Sequence, residues 1–407
     1  MLRRFSNCQS GAVPLCNLIL RNPGTGLRKD PSPRSNMIKQ DQTRSKRGNM
    51  RKRTVIHGLI ALCVLAISAA GVQAADAKPL KVGFVYVSPV GDAGWSYAHD
   101  QGRKAIEAMD GVETAFVESV PEGPDAERVI LNMARKKFDL IFATSFGYMD
   151  PMLKVAARFP DTVFMHCSGF KTAENMGNYF GRMYQARYLS GLVAGAMTKS
   201  DTLGYVAAFP IPEVIRGVNA FTLGAQAMNP DAKVRVVWTK TWYDPATEKE
   251  AAKSLLDVGA DVIAQHQDSP GPQEAAQDRG AYSIGYNTDM SAFAPKAHLV
   301  APIWNWAPFY TEMVEAVRAG TWKSDAYWYG IEHGIVDISP ISDMAPETVR
   351  QKVMERREEI VSGDFAPFTG PVADQSGEVR ISEGQTATDE ALLGMDWFVQ
   401  GVIGTTE

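Results

Sequence analysis

Cysteine is scarce in this chain, and no sign of charge dominates it. Of 407 residues only four are cysteine, Cys8, Cys16, Cys63 and Cys167. Cys167 stands alone after the first leader-like segment, so the rest of the chain has no internal disulfide framework. Lysine and arginine nearly balance aspartate and glutamate, leaving a formal net charge of −4. That excludes the basic footprint of a nucleic-acid binder, and no RNA- or DNA-reading signature occurs. Also missing are a Walker A loop, a GxGxxG fingerprint, a GxSxG elbow and an HExxH helix. His99, His166, His266, His298 and His333 have no ligand-like spacing. His166 and Cys167 are neighbours, but neighbours on a strand point to opposite faces. His266 and Asp268 share a face, which fits an acid–base pair or a hydrogen-bonded strand end. No metal, cofactor or assembled catalytic set is expected, and the composition argues for binding rather than turnover.

What is present begins with an unusual start. Residues 1–49 are rich in Arg, Lys, Ser, Asn and Gln and lack apolar periodicity. Met50 then opens a basic start at Arg51–Arg53 and an apolar run to about Val72, with small residues before Ala75. This is the pattern of a secretory signal peptide over residues 50–74, cleaved after Ala74, and it places the mature protein in the periplasm. Met50 is therefore the expected start, with residues 1–49 a mis-assigned or disordered extension. An uncleaved anchor is the competing reading. Lipidation at Cys63 is not expected, because Leu62 precedes it where a small residue is preferred.

From Leu80 onward short apolar runs alternate with amphipathic stretches. Strands are predicted over 81–87, 114–120, 140–144, 163–167, 202–209, 233–239, 262–264, 282–286 and 298–303. Between them lie helical patterns over 125–137, 152–159, 184–198 and 248–257, with another at 344–362. Strands spaced by such helices mean βαβ units and parallel sheets, here too many strands for one modest sheet. Two doubly wound lobes are the natural division. "ERVILNMARKKFDLIFATS" (127–145) and "EKEAAKSLLDVGADVIAQHQ" (248–267) each read as helix, Asp-containing turn and buried strand, so the lobes share a topology.

Ligands of open α/β sheets sit beyond the carboxyl ends of the strands. Those exits carry Tyr86, Ser88, Ser145, Phe146, Tyr148, Trp242, Tyr243, Gln267, Asp268, Asn287, Trp304, Asn305 and Trp306. Two such edges facing each other line a cleft with flat rings and neutral polar groups. "GDAGWSYAHDQG" (91–102) sets a tryptophan in a Gly-flanked strand-to-helix turn, which is a poor place for a core plug and a good one for a ligand. Asp92, Asp150 and Asp244 read as turn or helix-cap aspartates, and Asp289 as a cap for the segment after it.

From about Lys78 to Gly404 the chain resembles the basic membrane protein family, solute-binding proteins of ABC importers whose better understood members bind purine nucleosides. The resemblance is carried by "KVGFVYVSPVGDAGWSYAHDQG", "FDLIFATSFGYMDPMLKVAARFPDTVFM", "YLSGLVAGAMTKS", "GYVAAFPIPEVIRGVNAFTLGAQAMNPDAKV", "TWYDPATEKEAAKSLLDVGADVI", "SIGYNTD" and "GIVDIS". It implies an α/β type I periplasmic-binding fold, with two parallel-sheet lobes joined by a hinge. The expected division is 78–176 plus 305–325 for the first lobe and 177–304 plus 326–407 for the second. It also implies closure of the lobes over the ligand, followed by docking on a membrane permease. A monomer is expected. Trp95 and Ser96 match the Phe-Asn that the family presents to the base, and Trp242 matches the ring that stacks on the other face.

The departures from the family pattern point to the ligand. The family's Gly-x-Asp reads Gly285-Tyr286-Asn287, and its Ser-x-x-Lys segment reads Pro302-Ile303-Trp304-Asn305-Trp306. The acidic residue after the first strand is missing as well. These are the groups that hold ribose hydroxyls, so a free purine base, with adenine slightly preferred, is expected in place of a nucleoside. Asp268, Asn287 and Asn305 are expected on the base's polar edge, completed by Ser145 and Ser96. Asp268 is read equally well as a turn cap before Pro270. The alternatives are a nucleoside or sugar receptor, a secreted nucleoside-acting enzyme, and a sensor presenting its ligand to a membrane receptor.

Overall fold

The computed structural model describes residues 78–406. The expected leader at 50–74 and extension at 1–49 lie outside the described residues. The chain opens with β1 (Leu80–Val85), α1 (Trp95–Glu107), β2 (Val112–Val117), α2 (Pro124–Arg135), β3 (Leu140–Ala143), α3 (Met149–Ala156), β4 (Val163–Cys167) and β5 (Met176–Gly181). It crosses with α4 (Met183–Met197) to a second lobe of β6 (Thr202–Ala207), α5 (Pro212–Met228), β7 (Lys233–Trp238), α6 (Pro245–Asp257), β8 (Val262–His266), α7 (Gly271–Asp278), β9 (Tyr282–Ile284) and β10 (His298–Val300). After β11 (Pro302–Trp304) it returns with α8 (Ala307–Arg318) and β12 (Ala326–Tyr329). A last crossing leads to β13 (Val336–Ile338) and α9 (Glu347–Ser362). The tail forms a hairpin of β14 (Val372–Ala373) and β15 (Val379–Ile381), then α10 (Asp389–Leu393) and β16 (Val402–Ile403).

The first sheet has the order β12-β5-β4-β3-β1-β2 and the second β10-β9-β8-β6-β7-β16, with every neighbouring pair parallel. The order of β2-β1-β3-β4-β5 is thus repeated as β7-β6-β8-β9-β10, the duplicated doubly wound topology expected from the sequence. Helices cover both faces of such sheets, so their strands read as unbroken apolar runs; all of "LIFA" in β3 and "VIAQH" in β8 is buried. In each sheet the order reverses beside the first strand, β1 or β6, and the loops there open a crevice at the carboxyl ends.

The lobe boundaries differ from the expected ones. β5 and β12, predicted for the second lobe, complete the first sheet instead, with Tyr179 opposite Cys167 and Trp328 opposite Phe180. "MGNYFG" is interrupted by glycine and asparagine and does not stand out, whereas "AYWY", bounded by Ser324-Asp325 and Gly330, carries a strand signal that the sequence reading passes over. The predicted strand 298–303 is broken at Ala301. Its second part, β11, turns to pair antiparallel with β13 where the chain crosses between lobes.

α8 lies against α1 through Gly102, where a side chain would collide with Trp306 and the Tyr310 ring. This close approach lets His99 stack on Trp306, with centroids 4.7 Å apart and planes within 9°. The His99 Nδ1 is 2.5 Å from the Tyr310 hydroxyl.

Candidate functional site

A narrow cavity with about 20 Å³ of free space lies between the two carboxyl edges. The first lobe supplies Val87, Trp95, Thr144, Ser145, Phe146 and Ser168, from the loops after β1, β3 and β4. The second supplies Glu213, Trp242, His266, Asp268 and Tyr286, from the start of α5 and the ends of β7, β8 and β9. In this arrangement the free space falls far below the about 300–1,000 Å³ of small-molecule sites, so the lobes must part to admit a ligand.

Trp95 opens α1 and is positioned by everything around it. Its Nε1 donates to the Thr144 carbonyl at 2.5 Å, tying the α1 turn to the end of β3. Its ring stands edge-on to His99, Trp304 and Trp306, at centroid distances of 4.3, 5.5 and 5.9 Å. Trp304 and Trp306 are themselves stacked at 4.6 Å and 11°. The indole therefore serves both readings of its place in the sequence: it is packed against the core, and it forms a wall of the cavity. Gly94, just before it, has φ 95°. A Cβ there would overlap the carbonyl oxygen of Asp268, which belongs to the other lobe. The lobes thus meet backbone to backbone at the edge of the cavity.

On the second lobe, Trp242 is half-buried and leans on Phe209, centroids 5.0 Å apart. Asp268 is held from behind. Asn287 donates from Nδ2 to Asp268 Oδ1 at 3.0 Å and accepts from Trp304 Nε1 at 3.1 Å. Asn287 has φ 69°, a left-handed conformation that asparagine tolerates better than most residues. Glu248, fully buried, accepts from the backbone N–H groups of Asp244 (2.8 Å) and Ser269 (3.0 Å), and so braces the loop carrying Asp268. Burial pushes the Asp268 carboxyl well above the usual range, and the nearby Glu248 charge adds to this; Asn287 works against it. A neutral carboxyl presents one donor and one acceptor side by side.

Glu213 and His266 form the rest of the polar wall. Their nearest atoms, Oε1 and Nε2, are 3.5 Å apart, and the Tyr286 hydroxyl lies 3.3 Å from the same Nε2. Tyr286 is backed by the Arg187 guanidinium, 3.7 Å from its ring centroid, and Arg187 donates to the Gln265 carbonyl at 2.7 Å. Burial, with Arg187 and Arg216 adding their charge, holds His266 well below the ordinary imidazole value, so it is neutral. Glu213 Oε2 and His266 Nδ1 have no partner among the described residues. Burial raises the Glu213 carboxyl to about 7, against the pull of Arg216, the Ser168 hydroxyl and Arg187.

A carboxyl whose folded pKa exceeds its unfolded value binds protons more tightly when folded. Its contribution is then full in acid and is lost as pH rises from 4.5 through about 7. Glu213→Gln should flatten the fall of stability over that window, an effect on the order of 3 kcal/mol. Melting temperatures of both proteins from about pH 5 to about pH 8 measure it. Parallel profiles would mean that Glu213 is ionised throughout.

Of the residues singled out in the sequence, Trp95, Ser145, Phe146, Trp242 and Asp268 line the cavity. Ser145 also donates to Glu122 at 2.5 Å. Four others do not line it. Ser96 is buried against Ser88, with the hydroxyls 2.7 Å apart. Asn287 and Trp304 stand behind Asp268 and Trp95 and shape the wall without forming it. Asn305 is exposed and donates to the Gly334 carbonyl at 3.0 Å in the crossing segment. The break at Ala301 turns this stretch away from the cleft. Asp244 caps α6 as expected, accepting from the N–H groups of Ala246 and Thr247. Sequence reasoning missed Glu213 altogether, since an acidic residue after proline at a helix start reads as a dipole partner. Among the described residues no cluster of His, Cys, Asp and Glu could hold a metal, and no helix is long and apolar enough to cross a membrane.

Comparison with known proteins extends this picture. A model of the Bmp family, described as PnrA-like ABC transporter substrate-binding protein, matches residues 80–365. A purine-binding protein of Brucella abortus (strain 2308) is 46% identical over 346 residues, covering 84% of this chain and 98% of that protein. A Haloferax volcanii protein, provisionally named an ABC transporter glucose-binding protein, is 42% identical over 331 residues, covering 81% and 82%. Among solved structures, an ABC transporter solute-binding protein from Conexibacter woesei superposes with a TM-score of 0.60 at 25% identity, covering 70% of this chain and 98% of that one.

Proposed function

We propose that this chain, which belongs to the Bmp family of PnrA-like ABC transporter substrate-binding proteins, takes a purine as the free base, adenine first, in the cavity between its lobes. Proteins of this family are substrate-binding components rather than enzymes: they capture a small molecule and work with a membrane permease. The observation that carries the purine reading is that Trp95 and Trp242, one from each lobe, line the same narrow cavity beside the Asp268 carboxyl. A base held between two indoles gains about 1–3 kcal/mol from each stacking contact. Beside them a neutral Asp268 offers a donor and an acceptor, the complement of an aminopurine edge with a ring nitrogen next to an amine. The relative from Brucella abortus, named for purine binding, supports the same class.

The free base is favoured over the nucleoside because Asn287 is fully buried behind the wall, bonded to Asp268 and to the Trp304 N–H, and neither side chain faces the cavity to take a ribose hydroxyl. The protein is read as a periplasmic monomer released by signal cleavage. A sugar reading draws only on the name of the Haloferax relative. Isothermal titration with adenine, hypoxanthine, guanine, adenosine and glucose separates these readings. Adenine should bind at least about tenfold more tightly than adenosine. Equal or tighter binding of adenosine would overturn the free-base reading, and binding of glucose alone would overturn the purine reading.

A further inference from the structure

A second, larger cavity of about 420 Å³ adjoins the first, and the two share Phe146, Ser168 and Glu213. Nothing in the base-binding arrangement uses it. Its first-lobe wall is built by Phe170, Phe180 and Trp328, and its second-lobe wall by Ile211, Arg216 and Leu393. Most of this wall is apolar. The Arg216 guanidinium is buried, lies 5.2 Å from the Trp328 ring centroid and donates to the Leu392 carbonyl at 2.6 Å. A buried guanidinium beside aromatic rings attracts a further ring face. Asn178, also in the wall and 6% exposed, has an Nδ2 with no partner among the described residues.

We propose that this second cavity is a subsite for an aromatic substituent carried on the exocyclic nitrogen of the purine. The inference rests on the purine reading given above. The base sits between Trp95 and Trp242, its substituted N–H donates to Glu213 at the junction, and the substituent passes Phe146 into the larger space. Glu213 suits the junction because it lines both cavities and its Oε2 has no partner among the described residues. The protein then accepts aminopurines enlarged at that nitrogen, whereas a site closed around the bare base would reject them.

The test compares adenine, N6-benzyladenine and adenosine by isothermal titration on the unaltered protein and on Ala326→Trp. Ala326 lines the second cavity only and is exposed on the edge strand β12, so a larger side chain there leaves the core intact. N6-benzyladenine should bind at least about tenfold more tightly than adenine, the gain from burying one phenyl ring in an apolar pocket. Ala326→Trp should remove that advantage and leave adenine unchanged. Weaker binding of N6-benzyladenine than of adenine would overturn the subsite while the purine reading stands. A variant that weakens adenosine but not N6-benzyladenine would assign the cavity to a sugar and overturn it too. If no purine binds, the purine reading itself fails and the subsite with it.

Discussion

Gly94→Ala should abolish ligand-driven closure and raise the dissociation constant for the purine by about a hundredfold or more. Two effects combine at this position. With φ 95° and ψ −170° the backbone lies in a region that is almost exclusively glycine's, so any side chain costs about 1–3 kcal/mol in the folded protein. That cost falls on open and closed forms alike. The second effect belongs to the closed form alone: the new Cβ would occupy the place of the Asp268 carbonyl oxygen. Because the obstacle is backbone, no rotamer change relieves it. The variant should therefore melt somewhat lower than the parent, yet show no ligand-induced rise in melting temperature. Small-angle scattering should show no contraction on adding adenine. A variant that still contracts and binds within threefold of the parent would mean that the lobes do not meet at Gly94 when the ligand is bound.

Trp95→Ala should be as damaging to binding, and more damaging to the fold. Removing the indole deletes one stacking face, worth about 1–3 kcal/mol. It also strips the edge-on support of Trp304 and Trp306 and leaves the Thr144 carbonyl without its donor. Large-to-small changes at buried aromatics cost about 3–5 kcal/mol of stability. Trp95→Phe separates the two roles, since it keeps a stacking ring but loses the bond to Thr144. We expect adenine binding to be lost in the alanine variant and retained within about tenfold in the phenylalanine variant, as read by calorimetry on samples shown to be folded by circular dichroism. Unchanged affinity in the alanine variant would remove Trp95 from the site.

The contrast between these two residues and Asn305 shows what the sequence could disclose. Parallel strands announce themselves as apolar runs, and the rule that ligands lie beyond their carboxyl ends then singles out Trp95, Ser145, Trp242 and Asp268. The rule works while the backbone stays regular. At Asn287 the chain turns left-handed, and beyond Ala301 it leaves the second sheet for the β11–β13 pair, so side chains there cannot be assigned a direction by counting. Asn287 and Trp304 then act one step behind the wall, and Asn305 faces solvent. Glu213 was hidden for a different reason. It comes from a helix start rather than a strand end, and only the packing of α5 beside β8 within the second lobe puts it next to His266. The repeated order of the sheets was legible from the two helix–turn–strand segments. Of the outer strands, β5 is hidden by the glycine and asparagine that interrupt it, while β12, bounded by Ser324-Asp325 and Gly330, carries a signal left unread.

The stacked indoles of Trp304 and Trp306, with Trp95 set edge-on against them, also give the protein an optical signature of its own. Indoles this close couple electronically, so the near-ultraviolet circular dichroism should carry a strong band from this cluster. Emission from Trp95 should be blue while Asp268 covers the turn before it and should move to the red when the lobes part and water reaches the ring. A purine lying on that ring should quench it. The opening and filling of the cleft can then be timed in stopped flow without attaching any dye.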